Sequence, residues 1–107
     1  VFDGHGGKEV AIYAEDNFKK ILESLPDFQN ENFEDALRKA FLKLDSEVQK
    51  QDYAVDTGTT ACVVLVTQTE IYCSNAGDSR GVLCRDGKAV PLSEDHKPDN
   101  HDELKRI

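Results

Sequence analysis

The order of sequence patterns predicts an α+β fold. Two amphipathic helical stretches come first, four short strand-like runs joined by turn signals follow, and a further helix opens at the end. Strands linked in succession by tight turns make an antiparallel meander, and helices with one apolar face supply a layer to cover it.

From Gly7 to Leu25 the apolar residues Val10, Ala14, Phe18, Ile21, Leu22 and Leu25 recur at spacings of three and four, the stripe of an amphipathic helix. Pro26 stops it, because proline lacks the N–H that a helix interior needs. Asp27 to Glu31 read as a polar connection. Asn32 is placed to cap a second helix whose stripe is Phe33, Ala36, Leu37, Ala40, Phe41, Leu44 and Val48. Thr59 to Val66 is β-branched and almost continuously apolar, which predicts a buried strand. Glu70 to Ala76 gives a second strand and Gly81 to Arg85 a third. Asp86-Gly87 is a two-residue hairpin signal of the type I′ kind, and Lys88 to Leu92 returns as a fourth strand that Pro91 confines to an edge or an end. Pro98 belongs before or at the start of a helix, so Asn100 to Ile107 reads as the opening of one. There are no internal repeats and no low-complexity tract.

At 107 residues the chain fits one domain or part of a larger one, and a compact fold of this size buries roughly 60–70% of its unfolded surface. It has no initiator Met, begins in a strand-like dipeptide and stops within a helical pattern. It therefore reads as a segment of a longer protein, whose targeting signals would lie outside it. With 21 acidic against 13 basic residues the net charge is −8. Such a balance repels nucleic acid phosphates and anionic lipid, and no Lys/Arg stripe offsets it. No run approaches the roughly 20 apolar residues of a membrane helix. Cys62, Cys73 and Cys84 are odd in number, lie in apolar strand-like runs and form no Cys-x-x-Cys pair. They are expected to be buried free thiols in a reducing compartment, which points to an intracellular protein, cytoplasmic or nuclear.

Chemistry concentrates in the first eight residues, Val1-Phe2-Asp3-Gly4-His5-Gly6-Gly7-Lys8. A strand-like dipeptide delivers an acid and a histidine into a glycine-rich turn, where a ligand can approach the main chain closely. Asp3 offers carboxylate oxygens and Gly4 a bare carbonyl, hard donors of the kind Mg²⁺ and Mn²⁺ accept. His5 adds a group able to hold or release a proton near neutral pH. Taken alone, Asp-Gly-His is also what a plain turn with a solvated histidine looks like.

Three further strings behave the same way. Thr59-Thr60 are ordinary β-branched residues, Gly77-Asp78-Ser79 suits a structural turn, and Asp95-His96-Lys97-Pro98 suits a loop with a structural histidine. In combination and in this order, Val-Phe-Asp-Gly-His-Gly-Gly, Gly-Thr-Thr-Ala, Asn-Ala-Gly-Asp-Ser-Arg and Asp-His-Lys-Pro with Glu103-x-x-Arg106-Ile107 closely resemble the type 2C metal-dependent protein serine/threonine phosphatases. The match runs from end to end of the chain, including the two helices between the first and second motifs.

The resemblance implies an antiparallel β-sandwich flanked by helices, of which only a part is present here. It implies two Mg²⁺ or Mn²⁺ ions in a cleft at one end of the sandwich, with a third, weaker ion in some members. Asp3 then matches the carboxylate that bridges the two metals, the Gly4 carbonyl a ligand of one of them, and His5 the general acid. Asp78 matches an aspartate associated with the third ion. Thr60 matches a threonine near that region, although the family more often has Gly-Ser-Thr-Ala where this chain has Gly-Thr-Thr-Ala. The activity implied is hydrolysis of phosphoserine and phosphothreonine in protein substrates by metal-activated water. An upstream strand with a phosphate-gripping arginine and an acidic pair, and downstream aspartates that complete the metal shells, are absent. Residues 1–107 are therefore expected to be the middle part of a catalytic domain, inactive alone and prone to self-association through unpaired strand edges. The alternative is a noncatalytic interaction domain of the same fold.

Overall fold

The strands and helices of the computed structural model, which describes residues 1–107, fall into two units. One comprises Phe2–Thr59, and the other Val1 together with Thr60–Ile107. Both helix and strand are present and every sheet is small and antiparallel, which makes the chain α+β.

The helical unit holds β1 (Gly4–His5), α1 (Glu9–Ser24), α2 (Pro26–Gln29), α3 (Phe33–Val48), a 3-10 turn (Asp52–Val55) and β2 (Gly58–Thr59). The stripe on α1 is buried at Val10, Ala14, Phe18, Ile21 and Leu22, and that on α3 at Ala36, Leu37, Ala40 and Leu44. The two helices pack on each other. The Phe18 ring meets the Phe41 ring edge-on at 5.6 Å and the Phe2 ring at 6.0 Å, geometries that stabilise beyond plain area burial. Tyr13 Oη donates to Glu47 Oε2 at 3.3 Å across the same pair. Burial first, and then the Glu47 carboxylate, push the Tyr13 hydroxyl above its ordinary range.

Several local expectations need correction. Leu25 adopts an extended conformation, as a residue before proline prefers, but Pro26 then begins α2. The supposed polar connection is thus one helical turn, pinned by the Phe28–Phe33 ring contact at 5.4 Å. Asn32 occupies the cap position of α3 without capping through its side chain, and its Nδ2 donates to Asp35 Oδ2 at 2.9 Å. The first strand falls on Gly4–His5, not on the apolar dipeptide before it. Val1 instead exchanges backbone hydrogen bonds with Cys62 at 2.7 and 2.9 Å.

In the strand unit β3 (Ala61–Val66) pairs with β4 (Ile71–Ala76), and β5 (Val82–Arg85) pairs with β6 (Lys88–Pro91). These are separate two-stranded ladders and not a four-stranded meander. Between β4 and β5 the backbone turns away, Gly77 O accepting from His96 N, and Gly81 O accepts from Leu92 N to extend the β5–β6 ladder by one pair. The Asp86-Gly87 hairpin forms as expected, with φ of 53° and 75°. β3 is buried only at Ala61 and Cys62 and alternates beyond them, so Val64 and Val66 are exposed. Of the thiols, Cys62 is buried, Cys73 half-buried and Cys84 exposed, which corrects the expectation that all three are inside. α4 (His101–Arg106) begins at Asn100, whose side chain accepts from the Asp102 and Glu103 amides. No helix is long and apolar enough to cross a membrane.

Candidate functional site

The Asp3–Gly7 segment is exposed throughout and is shaped by its glycines. β1 pairs with β2 in the register Gly4 to Thr59 and His5 to Gly58. The turn that follows needs glycine at position 6, where φ is +71° and a Cβ would stand 2.1 Å from the Asp56 carbonyl oxygen. Thr57 secures that partner segment, its hydroxyl donating to Tyr53 O at 2.5 Å. The chain enters α1 at Glu9, so the Asp-Gly-His string lies on a two-residue ladder just before a helix start.

Thr60 and Asp78 lie in the strand unit. Thr60 is 8% exposed, and its hydroxyl lies 2.6 Å from Ser79 Oγ. Gly77, with φ of +109°, leaves room for the Thr60 methyl, since a Cβ there would sit 2.8 Å from Thr60 Cγ2. Both faces of the Gly77 peptide are used, its N–H donating to His96 Nδ1 at 3.2 Å and its carbonyl accepting from His96 N at 2.8 Å. Asn75 Nδ2 adds hydrogen bonds to the carbonyls of Gly77 and Glu94. Arg80 donates twice to Asp95, and Gly81 N donates to Ser93 Oγ. The Asn75–Arg80 loop is therefore fastened along its length to residues 93–96. Asp78 stands exposed at its tip, its carboxylate outside these hydrogen bonds.

Sequence reasoning treated Asp95 and His96 as a plausible loop and missed that they hold the Asp78 loop. The available signal was charge: Arg80 and Asp95 are opposite in sign and stand in the two strings that flank the β5–β6 hairpin. The Arg80 guanidinium, chiefly through its hydrogen bonds, keeps the Asp95 carboxyl below the ordinary carboxylate range.

The donor chemistry fits a hard divalent cation. Asp3 supplies a carboxylate and Gly4 a carbonyl in one unit, and Asp78 supplies a carboxylate in the other. No cluster of three or more His, Cys, Asp or Glu side chains is arranged to hold a metal. Within each unit these residues accordingly fit as partial donors to a cation and not as a complete shell.

The family model described as Protein phosphatase 2C matches residues 1–107. The chain is 47% identical over 120 residues to probable protein phosphatase 2C 4 of Paramecium tetraurelia, covering all of this chain and 40% of that protein. It is 48% identical over 109 residues to protein phosphatase 2C homolog 3 of Schizosaccharomyces pombe, covering all of this chain and 26% of that protein. A probable protein phosphatase 2C of Caenorhabditis elegans is 43% identical over 109 residues, with 100% of this chain and 31% of that protein covered. The chain thus spans well under half the length of these relatives, and by its motifs and its full-length match it belongs to the protein phosphatase 2C family.

Proposed function

We propose that residues 1–107 form the middle part of the catalytic domain of a protein serine/threonine phosphatase that hydrolyses phosphoserine and phosphothreonine on proteins with the help of Mg²⁺ or Mn²⁺. The observation that carries the proposal is the exposed Asp3-Gly4-His5 string, held at the surface by a short ladder and a turn that only glycine can make. Family membership supports the reaction class.

In this reading the Asp3 carboxylate and the Gly4 carbonyl would help to hold the Mg²⁺ or Mn²⁺ ions, with the remaining donors supplied by the rest of the domain. The bound ions would acidify the attacking water and neutralise charge on the phosphoryl group. As water adds to phosphorus the bond to the serine or threonine oxygen breaks, and that oxygen leaves poorly as an alkoxide. His5 supplies it with a proton. Thr60 acts at one remove, holding Ser79 and with it the loop whose Asp78 would help to hold a further ion.

The test is hydrolysis of a phosphothreonine peptide by the full-length protein with Mn²⁺ and with a chelator. Turnover that the chelator abolishes is expected. Absence of turnover at any Mn²⁺ concentration would overturn the proposal in favour of a noncatalytic interaction domain.

A further inference from the structure

Gly58 stands opposite His5 in the β1–β2 ladder. A Cβ built on it would lie 2.5 Å from His5 Nε2, 3.0 Å from Cε1 and 3.4 Å from Cδ2. The imidazole therefore rests against the Gly58 Cα, in the space that any side chain at position 58 would fill. The backbone does not demand glycine here, because Gly58 is not among the residues of positive φ. Gly6 is the contrasting case: its clash is with a carbonyl of the main chain and its φ is +71°, so no small movement relieves it. At Gly58 the obstructing atoms belong to the tip of an exposed side chain, which can rotate away.

We infer that Gly58 is a positioning residue for His5, its missing side chain defining where the imidazole Nε2 sits. The inference rests on the proposed role of His5 as proton donor. Proton transfer requires the donor to lie within about 2.6–3.2 Å of the leaving oxygen, and a displacement of about 1 Å can cost 10²-fold in rate. A methyl group at position 58 pushes the ring off its resting place and leaves the fold intact. Alanine adopts this backbone readily and restricts the unfolded chain more than glycine does.

Two measurements on the full-length protein test it. In the wild type, nuclear Overhauser contacts are expected between the Gly58 α-protons and the His5 ring protons, and their absence overturns the inference without any variant. The second compares Gly58→Ala, His5→Ala and the double variant on a phosphothreonine peptide and on p-nitrophenyl phosphate, whose leaving group departs without a proton. Gly58→Ala should lower kcat on the peptide by about 10- to 100-fold, hardly change kcat on p-nitrophenyl phosphate, and add nothing in the His5→Ala background. Equal losses on both substrates, or a further loss in the double variant, would mean that Gly58 acts on the fold and not through His5. If His5→Ala itself fails to separate the two substrates, the proton-donor reading falls. The Overhauser contacts then still decide whether Gly58 places the ring.

Discussion

Arg80 grips Asp95 with two parallel hydrogen bonds, Nε to Oδ1 at 3.0 Å and Nη2 to Oδ2 at 2.6 Å, and so ties the loop bearing Asp78 to the segment after β6. A fork of this geometry fixes direction as well as distance, which a single lysine contact does not. Both side chains reach solvent, so the value of the pair lies in placing the loop more than in global stability.

The sign of its pH dependence follows from the lowered Asp95 pKa. A carboxyl whose folded pKa is depressed contributes fully above its unfolded value, about 3.9, and loses that contribution as pH falls through the folded value. The clamp should therefore be constant from neutrality down to about pH 4 and release only below. Following the Asp95 carboxyl carbon by NMR tests this: it should titrate below the ordinary range in the wild type and move upward in Arg80→Ala. An unmoved titration in the variant would show that Arg80 is not the cause.

Thiol reactivity should rank with position on the strands. Cys84 is exposed on β5 and should react with a maleimide first. Cys73 lies diagonally across the ladder from Cys62, and burial, followed by that neighbour, pushes its thiol up. Both effects disfavour the thiolate, the reactive form. Cys62, the most buried, should label last, and labelling of Cys62 ahead of Cys84 would contradict the strand assignments around them.

Much of this was legible in the residues. The stripes on α1 and α3, the Asp86-Gly87 hairpin and the Asn100 cap are local patterns, set by spacing and turn chemistry that neighbours in sequence supply. What sequence could not give was partner choice over distance. The β4–β5 connection reads as a meander turn, but its Gly77 carbonyl is taken by His96, far along the chain. Asn32 reads as a cap, but its side chain makes no capping hydrogen bond and its Nδ2 donates to Asp35 instead. In the candidate site, Asp3, His5 and Asp78 were visible as residue types in turns, whereas the space that Gly58 leaves for His5 exists only in three dimensions.

Produced as an isolated piece, residues 1–107 should show no measurable phosphatase activity and only weak Mn²⁺ binding. A cation of this kind takes about six oxygen ligands, more than Asp3, the Gly4 carbonyl and Asp78 supply. The ladders β3–β4 and β5–β6 each have unpaired edges and expose Val64, Val66, Ile71 and Val82, so the piece should also self-associate. Calorimetry with Mn²⁺ and analytical ultracentrifugation check both. Micromolar binding, with turnover that disappears in Asp3→Ala, would mean the site is complete within these residues.

The central claim is a division of labour, in which Asp3 assembles the metals and His5 moves a proton. Its most direct test is a Mn²⁺ titration of phosphothreonine-peptide hydrolysis by the full-length protein carrying Asp3→Ala or His5→Ala. Asp3→Ala should abolish metal-dependent turnover at every Mn²⁺ concentration. His5→Ala should keep the wild-type Mn²⁺ midpoint and lose about 10²-fold or more in kcat. Wild-type activity in Asp3→Ala, or an unchanged kcat with a displaced Mn²⁺ midpoint in His5→Ala, would contradict the account.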